Sequence, residues 1–219
     1  MPKDAPFSTV PEAASKLAWA GTVLGVQPRI RLTRSFNQSS HTYQGFVLRI
    51  AGKLGEEERP FVVGLGKGAH EKHGLRAGDR VSGLGEAVAD PVTEITDIYK
   101  VTKLTVEHGD VASTAPPWTG VPPALEVYRA RGHRRLDAKV FASSCTSCIW
   151  GCEMAVEMII DQWNPSNVRW RRETLCYGPK SCPLYKAGPK RKVPGRKGIS
   201  WTEEDWIDEE ATAHRGPEE

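Results

Sequence analysis

The chain has 219 residues, 39% hydrophobic and 26% charged, with a formal net charge of +3, enough for one large core or a medium domain beside a smaller one. It contains no run of 18 apolar residues, which argues against a membrane-spanning helix. Residues 1–21 lack the basic stretch and apolar core of a secretory leader, so cytoplasmic residence is the expectation, and clustered cysteines then read as metal ligands or reactive thiols rather than disulfides.

Residues 1–15 read as a flexible arm. Between Lys16 and Gly109 five β-like runs follow one another: WAGTVLGVQPRIRL, TYQGFVLRIAG, RPFVVGLG, DRVSGLGEAV and IYKVTKLTVEH. Their alternation predicts strands. KGAHEKHGLRAGD, between the third and fourth, predicts a short helix ended by Gly74. Phe46, Leu48 and Ile50 share one face of the second run, and Phe46 is assigned to the core. His70 and His73 read as exposed helix histidines, and Asp90, Glu94 and Asp97 as a solvated loop.

Three strands, a helix and two more strands resemble an OB fold, a small five-stranded Greek-key barrel, over residues 16–109. The resemblance implies a ligand surface on the second and third strands and the first and fourth loops. Arg31, Arg34, Phe36, His41, Tyr43 and Arg49 fall there, and cations mixed with rings suit single-stranded nucleic acid. The alternative has Phe36 and Tyr43 capping the barrel and the arginines solvated.

Residues 110–124, rich in proline, read as a linker. A helix is expected from Pro123 to about Arg131, broken at Gly132. Residues 125–186 hold all five cysteines. Cys145 and Cys148 form a C-x2-C pair, whose two thiolates can face one ion. EMAVEMIID, the turn signal NPSN and VRWRRETLC then predict a hairpin returning Cys176 beside that pair, with Cys182 closing a wider loop. Knuckle, hairpin and knuckle resemble a zinc ribbon, which implies Cys145, Cys148, Cys176 and Cys182 as ligands of a structural zinc. Cys152 stays open. On a helix it would share a face with Cys148, and three clustered cysteines with a distant fourth could hold a 4Fe-4S cluster instead. Trp170 and Tyr177 read either as stacking surface or as core.

In the tail, residues 187–219, Lys190, Arg191, Lys192, Arg196 and Lys197 form a run able to meet phosphates. The acidic stretch WTEEDWIDEE follows, with Trp201, Trp206 and Ile207 as candidate anchors or a route to a protein partner. The expectation is a mainly β protein: an OB-like barrel, then a small metal-stabilised β-hairpin module. Its expected activity is non-catalytic binding of RNA or single-stranded DNA. An iron–sulfur electron carrier or redox sensor is the alternative. An acyl-CoA-related or scaffold accessory protein is a second one, although in such proteins the ribbon precedes the barrel.

Overall fold

A computed structural model describes residues 16–35, 38–109, 113 and 115–218; the expected arm 1–15 and Phe36 lie outside these. The protein is mainly β. The first five strands are β1 (Lys16–Ser35), β2 (Gln38–Leu54), β3 (Glu57–Leu65), β4 (Arg80–Ala87) and β5 (Ile98–Glu107), with helix α1 (Lys67–His73) between β3 and β4. Gly74 ends α1 in the left-handed region at φ 55°, and its N–H donates to the His70 carbonyl, the role its position in the sequence predicts. Helix α2 (Leu125–Arg131) leads to the short strand β6 (Arg134–Arg135) and to α3 (Ala138–Val140). A π-helical turn then carries the chain to Cys145. The long hairpin β7 (Gly151–Ile159) and β8 (Val168–Cys176) is followed by the small hairpin β9 (Arg191–Pro194) and β10 (Ser200–Glu203) and by α4 (Asp205–Ala211).

Pairings run β2–β3–β5–β4–β1, and β1 pairs in turn with β2. β1 is long enough to serve two partners on one edge. Its first half, Lys16–Thr22, lies against β4, and Leu32–Arg34 run parallel to Val156–Met158 of β7. The hairpin β7–β8 thus extends the same sheet. Trp19, Ile30, Leu48, Val63 and Ile98 share one apolar cluster with Cys152, Met154, Val156 and Leu175, so the segment expected to be a linker separates no cores.

Simple alternation does not hold through β1. The register steps between Val23 and Gly25, leaving Leu24 without a partner. An unpaired residue of this kind moves every later side chain to the opposite face. Trp19 and Val23 are therefore buried on one side of the step, Val26, Ile30 and Leu32 on the other, and Leu24 is 48% exposed.

Two loop expectations are corrected. His70 is buried, its ring 4.0 Å from that of Phe46 and its Nε2 3.2 Å from the Pro122 carbonyl. Helix α1 thus turns His70 inward over the strands. Glu94 is also buried and pairs with Arg29, while Asp97 accepts from the Val62 N–H at 2.7 Å. The acidic loop before β5 is held by these bonds rather than by water.

Candidate metal centre

The four predicted ligands come from three separated stretches. Asp137 caps α3 by accepting from the N–H groups of Lys139 and Val140 at 3.0 and 3.1 Å, and the following π-helical turn ends at Cys145. The turn then tightens: Cys148 N–H donates to the Cys145 carbonyl at 3.2 Å, and Gly151 N–H to the Cys148 carbonyl at 3.0 Å. Hairpin β7–β8 pairs Gly151 with Cys176, bringing Cys176 back beside the knuckle. Pro179 accepts from the Cys182 N–H at 3.2 Å and closes the second loop.

Cys145, Cys148, Cys176 and Cys182 all line one enclosed cavity of about 10 Å³, walled by Pro116, Pro117, Trp118, Leu136, Trp150 and Tyr185. Pro116, Pro117 and Trp118 of the supposed linker therefore cover this site, and the Trp118 carbonyl also accepts from the Ile149 N–H at 2.8 Å. A tryptophan within a proline-rich stretch was the available signal, because a solvated linker has no use for so large a ring.

A second unpredicted residue fixes the knuckle. Gln27 on β1 is 1% exposed, and its amide donates to the carbonyls of Cys145 at 2.7 Å and Cys148 at 2.9 Å. Next to it, Gly25 lets the knuckle backbone lie directly on the strand: a Cβ there would stand 2.6 Å from Ser147 Cα and 2.7 Å from the Thr146 oxygen. A glutamine inside an apolar strand marks such a bond in hindsight, since a buried amide needs partners.

Burial raises the thiols of Cys145, Cys148 and Cys176. Cys145 is pushed up to about 12 by burial and then by the neighbouring sulfurs of Cys148, Cys176 and Cys182. Backbone N–H groups of Trp150, Trp118 and Gly151 work against burial at Cys148, and that of Gly178, 3.4 Å from the sulfur, does so at Cys176. Amides aimed at sulfur favour thiolate over thiol, the form a metal requires. Four thiols and these donors suit a soft tetrahedral ion, and the cavity has the volume of a single small ion or water. As the side chains stand, no group of three or more His, Cys, Asp or Glu among the described residues is arranged to hold a metal ion, so coordination would need the thiols drawn inward from these positions.

Cys152 lies outside this group. It sits on β7 rather than on a helix, fully buried in the main apolar cluster, with its sulfur 3.4 Å from the Pro28 carbonyl. Burial raises its thiol strongly, with Glu153 and Arg49 as the next influences rather than the other cysteines.

The candidate nucleic-acid contacts are not one surface. Arg34 is 4% exposed and donates to Glu203 at 3.0 Å and Glu173 at 3.3 Å. Arg49 pairs with Glu153 at 2.8 Å. Arg31 donates to the Thr93 carbonyl and lies 5.5 Å from the Trp170 ring. Arg129 covers Tyr43 at 4.8 Å, and His41 packs 4.9 Å from His133. In the basic run, Arg191 forms an ion pair with Glu173 at 2.8 Å and Lys190 pairs with Glu204, while Lys192, Arg196 and Lys197 face solvent. Tyr177 is fully buried core.

The acidic tail folds back. Arg135, 1% exposed, donates from its backbone N–H and its guanidinium to Asp208, both at 2.9 Å, and pairs with Asp205. Carboxylates on an arginine make the anchor, and Trp206 is left 56% exposed.

Three imidazoles give the fold a pH dependence. Burial and then Arg34, opposed by Glu173, lower His41 to about 4. Burial also lowers His70, and it pushes His133 far down with help from His41, Arg34 and Arg191. Each remains neutral in the folded chain, whereas the unfolded chain takes up protons below about pH 6.5. The unfolded state therefore binds more protons below about pH 6.5, so stability falls as pH falls and is level above that pH; for His41 the window runs down to about pH 4, with a slope of about 1.4 kcal/mol per pH unit. His41→Gln should remove about one proton from the slope of unfolding free energy against pH. An unchanged slope would place that uptake elsewhere.

Comparison of the chain with protein-family models, curated proteins and solved structures gives no match. No helix among the described residues is long and apolar enough to cross a membrane.

Proposed function

We propose that this chain is a non-catalytic nucleic-acid-binding protein, built on an OB-like barrel and stiffened by one zinc ion on Cys145, Cys148, Cys176 and Cys182. The observation that carries the metal reading is the convergence of those four thiols on one enclosed cavity while Cys152 is left in the apolar core. Zinc bound by four thiolates has no open position for water or substrate and acts as a cross-link.

The cycle of pairings β1–β2–β3–β5–β4–β1, with α1 between β3 and β4, supports the barrel reading. The solvent-facing cations of β8, β9 and the tip after β9 support a polyanionic ligand more than the buried Arg34 does. A labelled single-stranded RNA and DNA titrated at several salt concentrations tests this. Binding that weakens steeply with salt is expected; no binding at low salt, or affinity indifferent to salt, overturns it.

A further inference from the structure

The β7–β8 turn and the tip of the β9–β10 hairpin meet at one corner. Arg196 at the tip lies 3.6 Å from Asp161 at the start of the turn, and Arg171 on β8 donates to the Lys192 carbonyl on β9 at 2.6 Å. Residues 161–172 and 190–200 contain eight Lys and Arg, of which Arg171 and Arg191 pair with Glu173 and Lys190 with Glu204; within these stretches the one carboxylate is Asp161. That carboxylate is engaged by Arg196 and by the Trp163 N–H at 3.0 Å. Arg169, Lys192, Arg196 and Lys197 are exposed.

Trp163 stands in the turn with 83% of its surface in water. The turn does not need an indole. Its bonds run from Asn164 N–H to the Asp161 carbonyl, from Asn167 N–H to the Asn164 carbonyl and from Ile160 N–H to the Asn167 carbonyl, all available to any residue at 163. Because β1 and β7 run parallel, the corner stands at the same end of the sheet as Ser35, the last residue of β1.

We infer that this corner is the surface that takes single-stranded nucleic acid, with Trp163 stacking on an unpaired base while Arg169, Lys192, Arg196 and Lys197 meet phosphates. The inference rests on the nucleic-acid reading above and gives it a place. A ring exposed among cations with one engaged carboxylate complements a strand carrying both π-faces and negative charge. A duplex offers no free base face to the ring.

The test is fluorescence anisotropy with the full chain and fluorescein-labelled oligo(dT) and oligo(rU), repeated across salt concentrations. Trp163→Ala should weaken binding about 5- to 150-fold, the usual worth of one stacked base, and Trp163→Phe should restore most of it. Lys192→Ala with Lys197→Ala should flatten the slope of log K against log salt by about 1.4, two single-strand phosphate contacts. The side chains are exposed, so circular dichroism and melting of the variants should match the parent. If the parent binds and Trp163→Ala binds equally well, this surface is overturned and the nucleic-acid reading stands. If the parent binds neither oligonucleotide at low salt, both fall. Tighter binding of a polyglutamate peptide than of either oligonucleotide also overturns the inference and assigns the corner to an acidic protein.

Discussion

Cys148→Ser and Cys176→Ala are each expected to abolish metal binding at the proposed zinc site and to lower the stability of the chain by several kcal/mol, the scale on which structural zinc contributes to folding. Both residues line the cavity with Cys145 and Cys182. Losing one thiolate leaves three ligands, too few to close a four-thiolate site, and burial drives the remaining Cys145 toward the neutral thiol. The knuckle 145–151 would keep its bonds to Gln27, and β7–β8 would keep its place in the shared sheet, so the variants should stay partly folded rather than collapse. Cys152→Ala is the contrasting variant. It removes a small buried side chain from the main core, should cost about 1–2 kcal/mol as a packing defect, and should leave metal content at one per chain. Metal analysis and urea denaturation of the three variants check this, and loss of metal in Cys152→Ala would move that thiol into the site.

Glu173→Gln is expected to cost about 3–5 kcal/mol, the usual result of removing one partner from a buried ion pair. Glu173, 3% exposed on β8, accepts from Arg34 of β1 at 3.3 Å and from Arg171 at 2.6 Å, and faces Arg191 of β9 at 2.8 Å. Arg34 is shared with Glu203 of β10 at 3.0 Å. One carboxylate therefore joins the first strand, the long hairpin and the returning tail. Removing its charge leaves three guanidiniums close together with little water to screen them. In a two-state melt this corresponds to a fall of about 10 °C for a domain of this size, and the difference should persist at high salt because the pairs are buried. A surface pair would lose most of its effect there. An equal melting temperature for Glu173→Gln would show that the network contributes no net stability.

Local pattern carried much of the fold. Alternation located the first five strands and β7–β8, and Gly74 and Gly132 marked the ends of α1 and α2, because these signals lie within a few residues of one another. Pairings between distant segments were not legible. Nothing near Leu32 announces that it will lie beside Val156, and that single parallel contact joins the two predicted modules into one sheet. The step at Leu24 was hidden for a related reason, since only the partner strand decides where a register shifts.

At the site, spacing named the four cysteines that the fold brings to one cavity, but the fate of Cys152 required knowing that the segment after the knuckle is a strand. Gln27 and Trp118 were missed because their partners lie more than thirty residues away and they belong to no motif. The arginines misled in a physical way. Composition treats a cation as solvent-facing, whereas Arg34 and Arg135 are buried by carboxylates that follow them by 139 and 73 residues.

Metal and visible absorption of the protein purified without oxygen test the central claim most directly. One zinc per chain with no visible absorption, kept in Cys152→Ala and lost in Cys148→Ser, is the result predicted. A brown protein containing iron and sulfide and bleached by dithionite, or a chain that binds no metal at all, would contradict it.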